Sequence, residues 1–146
     1  MTTNTKENGF ETLIVDYLVN QNQYELGNNT DYNKEFAIDE TRLFRFLQET
    51  QAEKIEALHI LDSELQRSKF LSKLKQELGN RGVIDVIRKG MRYLHLILDF
   101  YYVTPSAQNP KAKELYNQNI YSVTRQVKYS KEFPNLALDF VIFING

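Results

Sequence analysis

The residue with the most chemical promise is Asp139, a lone carboxylate in the middle of the apolar run Leu136–Ile144, LALDFVIFI. Asp is a poor strand former. Buried there without a partner, its carboxylate is costly or takes up a proton. Two readings are open. In the structural one, Asp139 pairs with Arg125 or Lys128 inside a sealed core. In the functional one, a metal ion, a partner group or a cleft compensates it. Arg125 has a similar pair of readings, a phosphate contact or an ion pair across the sheet. Lys111, Lys113, Lys128 and Lys131 are interspersed with Glu114 and Glu132, which reads as an ordinary solvated surface. His59 and His95 lie near a helix end and in an apolar run, and read as structural.

Composition removes several kinds of chemistry. With 146 residues, the chain has the length of one domain. Its 18 basic and 19 acidic side chains give a net charge of −1, so the chain as a whole lacks the basic footprint of a nucleic-acid binder. There is no cysteine, which excludes disulfides and thiolate metal sites. No GxxxxGK[ST] motif is present, so no P-loop binds ATP here. The start, MTTNTKENGFE, lacks a secretory layout, and the apolar runs are too short to span a bilayer. The expected compartment is the cytoplasm, without membrane association.

Apolar residues recur at helical spacing up to about residue 89, then come in β-branched and aromatic runs. The first helix is expected over Gly9–Asn20, with Asn8 as N-cap and Phe10, Leu13, Ile14, Tyr17 and Leu18 on one face. QNQYELGNNTDYN reads as a loop. A helix starts at Asp39 or Glu40, a further segment covers Gln51–Ile60, and a longer helix covers Ser63–Leu78 with a C-cap at Gly79-Asn80. A short helix over Arg81–Arg88 ends at Gly90. Strands are expected over Tyr93–Val103, Ile120–Tyr129 and Leu136–Ile144, the last buried on both faces. SAQNPKAKELYNQN is read as a loop. The fold class is α+β: N-terminal helices (about 9–90) packed on a mixed or antiparallel sheet (about 91–146), in a single domain over 1–146. Asn145-Gly146 is a strong hairpin dipeptide.

These motifs carry a resemblance. Asn119-x-x-x-Val123-Thr124-Arg125-Gln126, then Tyr129-Ser130 and LALDFVIFING, resemble the pattern near the start of the restriction (R) subunits of type I restriction–modification enzymes. The family often has Glu before the Asn, where this chain has Gln118. RFLQETQ (Arg45–Gln51) resembles the family's Phe-Leu-x-x-Thr-Gln segment, and RGVIDVIRKG (Arg81–Gly90) its Arg-Gly-x-x-x-Val-x-Arg-x-Gly segment. The order is kept across about residues 10–146.

The resemblance implies an incomplete restriction-endonuclease-like core of the PD-(D/E)xK class. There, two carboxylates on adjacent strands hold Mg²⁺, and a Lys two residues after the second lies on the same strand face. Asp139 is the implied catalytic residue and first metal ligand, and Glu11 on the first helix the implied second acid near the metal. Arg125, Gln126 and Lys128 are the implied DNA contacts. The Glu-x-Lys of the pattern follows the Asn-Gly turn and is not among these residues, so the segment is expected to be truncated and silent by itself. In the parent protein, cleavage is coupled to ATP-driven translocation, although this segment does not bind ATP. Implied partners are double-stranded DNA and the methylation and specificity subunits. An unfinished sheet also invites an edge-to-edge dimer. The alternative is a noncatalytic DNA-binding or subunit-docking domain, in which FLSKLKQELGNRGVIDVIRKG forms a helix-turn-helix with Arg88, Lys89 and Arg92.

Overall fold

Local signals start most of the helices. The computed structural model describes residues 2–106 and 108–146, with side chains from Gly9 onward. Helix α1 spans Thr2–Gln21. The expected N-cap, Asn8, therefore falls inside the helix, and its side chain lies outside the described residues. Strand β1 (Glu25–Leu26), a 3-10 turn at Asn29–Asp31, and strands β2 (Tyr32–Asn33) and β3 (Ile38–Asp39) follow, in a stretch expected to be loop. Helix α2 spans Glu40–Ala57 and joins two segments expected separately. Its start is set by Asp39, whose Oδ1 accepts from the Arg42 backbone N–H at 3.1 Å. It breaks regular geometry at Gln51, where φ is −143° and ψ 39°.

Helix α3 covers Glu64–Arg81, capped by the Ser63 hydroxyl, which accepts from Gln66 N–H. It runs through Gly79-Asn80, and Gly82, at φ 82°, takes the terminal position instead. Helix α4 covers Val83–Lys89 and stops at Gly90, where φ is 70° and a Cβ would clash with the Leu98 carbonyl. The segment expected as one strand, Tyr93–Val103, is instead a tight hairpin: β4 (Met91–Tyr93) pairs antiparallel with β5 (Leu96–Leu98). The turn is made by Leu94 at φ 53° and by His95. Helix α5, Pro110–Asn117, lies where a loop was expected; Asn109 caps it and Pro110 opens it. Strands β6 (Tyr121–Lys128) and β7 (Ala137–Ile144) follow.

The fold class is α+β, with 49% helix and 20% strand. Two compact units share the chain: Met1–Arg42 with Ile120–Gly146, and Leu43–Asn119. The first holds a mixed sheet in the order β1-β6-β7, with β1 parallel and β7 antiparallel to β6, and the β2-β3 hairpin. Strand β6 is central, which explains why Ser122 and Thr124 are buried as well as Val123 and Val127. The second unit packs α3, α4 and the β4-β5 hairpin around Phe46, Phe70, Ile60, Met91 and Leu98, all nearly inaccessible. Phe70 meets Phe44 and Tyr93 ring to ring, with centroids 6.0 and 5.2 Å apart. The Gln51 amide closes a two-bond clamp on Asp99 there, donating to its carbonyl and accepting from its N–H, both at 2.8 Å.

Candidate functional site

Strand β7 is not buried on both faces. It is an edge strand, and Leu136, Leu138, Ile142 and Ile144 are exposed, with Phe143 its one buried apolar side chain. The expectation of a sealed strand fails because the sheet has no described neighbour on that side. Asp139 is exposed with it and makes no ion pair among the described residues. The structural reading, an Asp139–Arg125 or Asp139–Lys128 pair in a sealed core, therefore does not hold.

Arg125 is engaged elsewhere. Its Nε donates to Glu11 Oε1 at 2.8 Å and its Nη1 to Thr12 Oγ1 at 3.3 Å. Glu11 is buried, with its side chain 8% exposed, and also accepts from Gln126 Nε2 at 3.5 Å. Helix α1 thus lies on the sheet face that carries Arg125. It presents Glu11 and Val15 to that face, while Phe10, Leu13 and Tyr17 are exposed. The apolar stripe expected to face the core is largely solvated, because a long-range ion pair orients the helix.

Of the candidate residues, Glu11, Arg125 and Gln126 come together. Asp139 and Lys128 do not join them. Arg125 is registered with Phe140 and Val127 with Leu138, so Gln126 and Asp139 lie between these pairs. Gln126 has φ 54°, a left-handed backbone inside a strand. That turn breaks the alternation and lets its amide reach Glu11 on the Arg125 side. The β7 carboxylate follows the ordinary alternation and lies on the opposite face. The expected pairing of Asp139 with Glu11 around one metal ion is therefore not made. Among the described residues no three His, Cys, Asp or Glu side chains group to hold a metal. Lys128, registered with Ala137, shares the Asp139 face and is exposed. A groove of about 500 Å³ runs along α1 past Leu13, Ile14, Tyr17 and Leu18, and Asp139 does not line it.

A second polar cluster was missed in the sequence. Arg42, in the first turn of α2, donates to Asp39 Oδ2 at 3.0 Å, Glu25 Oε2 at 3.1 Å and Asp31 Oδ2 at 3.4 Å. Burial pulls the guanidinium pKa down, but Asp39 and Glu25 outweigh it and the pKa ends above its ordinary value. The cluster fastens β1, the 3-10 turn and the start of α2 together. The acids of Glu25–Glu40 were the available signal, and a loop reading hid it.

At the end of the chain Asn145 and Gly146 have positive φ, 56° and 75°. Asn145 is buried; its Oδ1 accepts from Ile120 N–H at 2.5 Å and its N–H donates to Ile120 O at 2.7 Å.

The proposed helix-turn-helix does not form. Only Gly82 separates α3 from the seven-residue α4, and Arg81 and Lys89 are both tied to Asp85, at 2.7 and 3.0 Å. No helix among the described residues is long and apolar enough to cross a membrane.

Fold and site define an α+β protein that presents, on an edge strand, a carboxylate with no ion pair among the described residues. Compared with family models, curated proteins and solved structures, the chain matches none.

Proposed function

We propose that this chain is the N-terminal part of the nuclease domain of a type I restriction enzyme's R subunit, with Asp139 as its catalytic carboxylate. The observation that carries the reading is Asp139 itself, an exposed mid-strand carboxylate with no ion pair among the described residues, opposite the strained Gln126, although it lies on the sheet face away from α1 and not in a cleft beside that helix. Non-Gly residues at positive φ cost on the order of 1–3 kcal/mol and cluster at functional sites. Lys128, exposed on the same face, is suited to neutralise a DNA phosphate.

The family's Mg²⁺ does not fit the residues present. One carboxylate is not a metal site, and Glu11 is occupied by Arg125 and Gln126. In this reading the residues present do not cleave DNA without the rest of the parent protein. In this reading Glu11 and Arg125 are positioning residues that hold α1 on the sheet, while ATP and the methylation and specificity subunits belong to the parent protein. The test is Mg²⁺-dependent DNA cleavage by the full-length complex carrying Asp139→Ala. Cleavage is expected to be lost while ATP hydrolysis continues, and retained cleavage refutes the assignment.

A further inference from the structure

Strands β6 and β7 pair through every residue of their ladder except two that lie opposite each other, Gln126 and Asp139. Regular alternation along β6 would put the Gln126 side chain on the face of Thr124, across from the Asp139 carboxylate, with Cβ atoms about 4.5–5.5 Å apart. From there its amide N–H would donate to the carboxylate. Instead Gln126 is left-handed at φ 54°. Its Nε2 donates to Glu11 Oε1 at 3.5 Å, and its carbonyl accepts from Asn29 Nδ2 at 3.5 Å. Glu11 is buried and is itself held by Arg125 Nε at 2.8 Å. Two carboxylates thus flank one amide, Glu11 on one face of the sheet and Asp139 on the other, and Glu11 holds it. A glutamine has no preference of its own for positive φ. The contacts around Gln126 maintain the strain.

We infer that Glu11 is a positioning residue for Asp139 and acts through Gln126. With Asn29 it holds Gln126 left-handed, which keeps the Gln126 amide off the Asp139 carboxylate and interrupts the ladder at that one place. The carboxylate is left open to act. When Glu11 lets go, Gln126 relaxes to extended geometry, the alternation is restored and the amide caps Asp139. The role differs from the metal ligand that the resemblance implies for Glu11, since it needs an acceptor at this position and not a charge. The activity it serves rests on the nuclease reading of Asp139, whereas the hold of Glu11 on Gln126 does not.

The experiment combines variants in the full-length complex. Glu11→Ala frees the amide and is expected to lower DNA cleavage about tenfold or more, with DNA affinity and ATP hydrolysis unchanged. Adding Gln126→Ala removes the amide, and cleavage is expected to rise again above the Glu11→Ala level. Glu11→Gln keeps an acceptor and is expected to retain most of the cleavage that Glu11→Ala loses. A double variant no better than Glu11→Ala overturns the proposal, because a merely structural Glu11 gives no recovery. The 146-residue chain supplies a second measurement by nuclear magnetic resonance. Backbone chemical shifts are expected to report Gln126 as left-handed in the wild type and extended in Glu11→Ala, with a shift of the Asp139 carboxyl carbon. Should Glu11→Ala not fold, Asn29→Ala takes its place, since the Asn29 contact is exposed. A Gln126 that stays left-handed in the folded variant overturns the proposal as well. If Asp139→Ala retains cleavage, the nuclease reading fails by itself, and the chemical shifts alone decide whether Glu11 controls Gln126.

Discussion

The two units are built on different terms. Among the described residues, the Leu43–Asn119 unit buries fifteen apolar side chains and one polar one, Gln51. The other unit buries six apolar side chains, Val15, Ile38, Ile120, Val123, Val127 and Phe143, and as many polar ones: Glu11, Asp39, Arg42, Ser122, Thr124 and Asn145. Charge divides too, with twelve basic against nine acidic residues in the first and six against ten in the second. Hydrophobic burial is non-directional and tolerates repacking. Buried polar groups demand particular partners. The helix-rich unit is therefore held by its core, and the sheet unit by specific bonds. The sheet unit also carries the strained Gln126 and the open strand. Departures from local rules of this kind gather at functional sites.

The contrast breaks hardest in the apolar unit. Phe70→Ala removes a fully buried ring that touches Phe44 and Tyr93, and is expected to cost about 3–5 kcal/mol in urea unfolding. In the sheet unit the corresponding change is polar. Arg42→Ala leaves Asp39, whose side chain is 2% exposed, without its cation, at a cost of about 3 kcal/mol. Adding Asp39→Asn, which keeps the helix cap, is expected to recover part of that loss. If the two losses simply add, Asp39 and Arg42 do not act as a pair and the contrast between the units weakens.

How much of this was legible depends on the range of the deciding interaction. Asp39 and Ser63 announced their helices, because a cap acts within three residues. Strand β6 was readable from its alternation. Helix α5 was hidden by a polar composition, although Asn109-Pro110 is a good start signal. The continuous apolar stretch at Tyr93–Val103 looked like one strand, and only the unusual left-handed Leu94 folds it into a hairpin. The orientation of α1 was not locally encoded: Glu11 is turned inward by Arg125, 114 positions away. Asp139 was singled out as an oddity in an apolar strand expected to be buried. Its exposure was not foreseen, since a run of aliphatic residues reads alike at the centre and at the edge of a sheet. The Arg42 cluster joins three acids through space and leaves no periodic trace.

A smaller test concerns strain. Measured against Gln126→Ala, which loses the same amide contact with Glu11, Gln126→Gly removes the Cβ from a left-handed position and is expected to stabilise the chain by up to about 1 kcal/mol, offset in part by glycine's entropy. Loss of stability on this change would show that the position is relaxed, and would remove one argument for a functional sheet unit.

The smallest effect is electrostatic and belongs to the helix-rich unit. Hydrogen bonds from Lys73 and Arg81 hold Glu77 below the usual carboxylate range, and bonds from Arg81 and Lys89 do the same for Asp85. A carboxylate depressed in the folded state contributes stability above its unfolded pKa and loses it as pH falls through the folded one. The unit is therefore expected to weaken on acidification across and below the ordinary carboxylate range. These groups are only partly buried at the surface, so the contribution is small and screened by salt. Melting temperature against pH, compared between wild type and Asp85→Asn at low and high salt, checks it. The two profiles should converge at acid pH and in high salt. A gap that persists in both would mean that Asp85 acts through helix capping or packing, and that the second unit too depends on a specific polar contact.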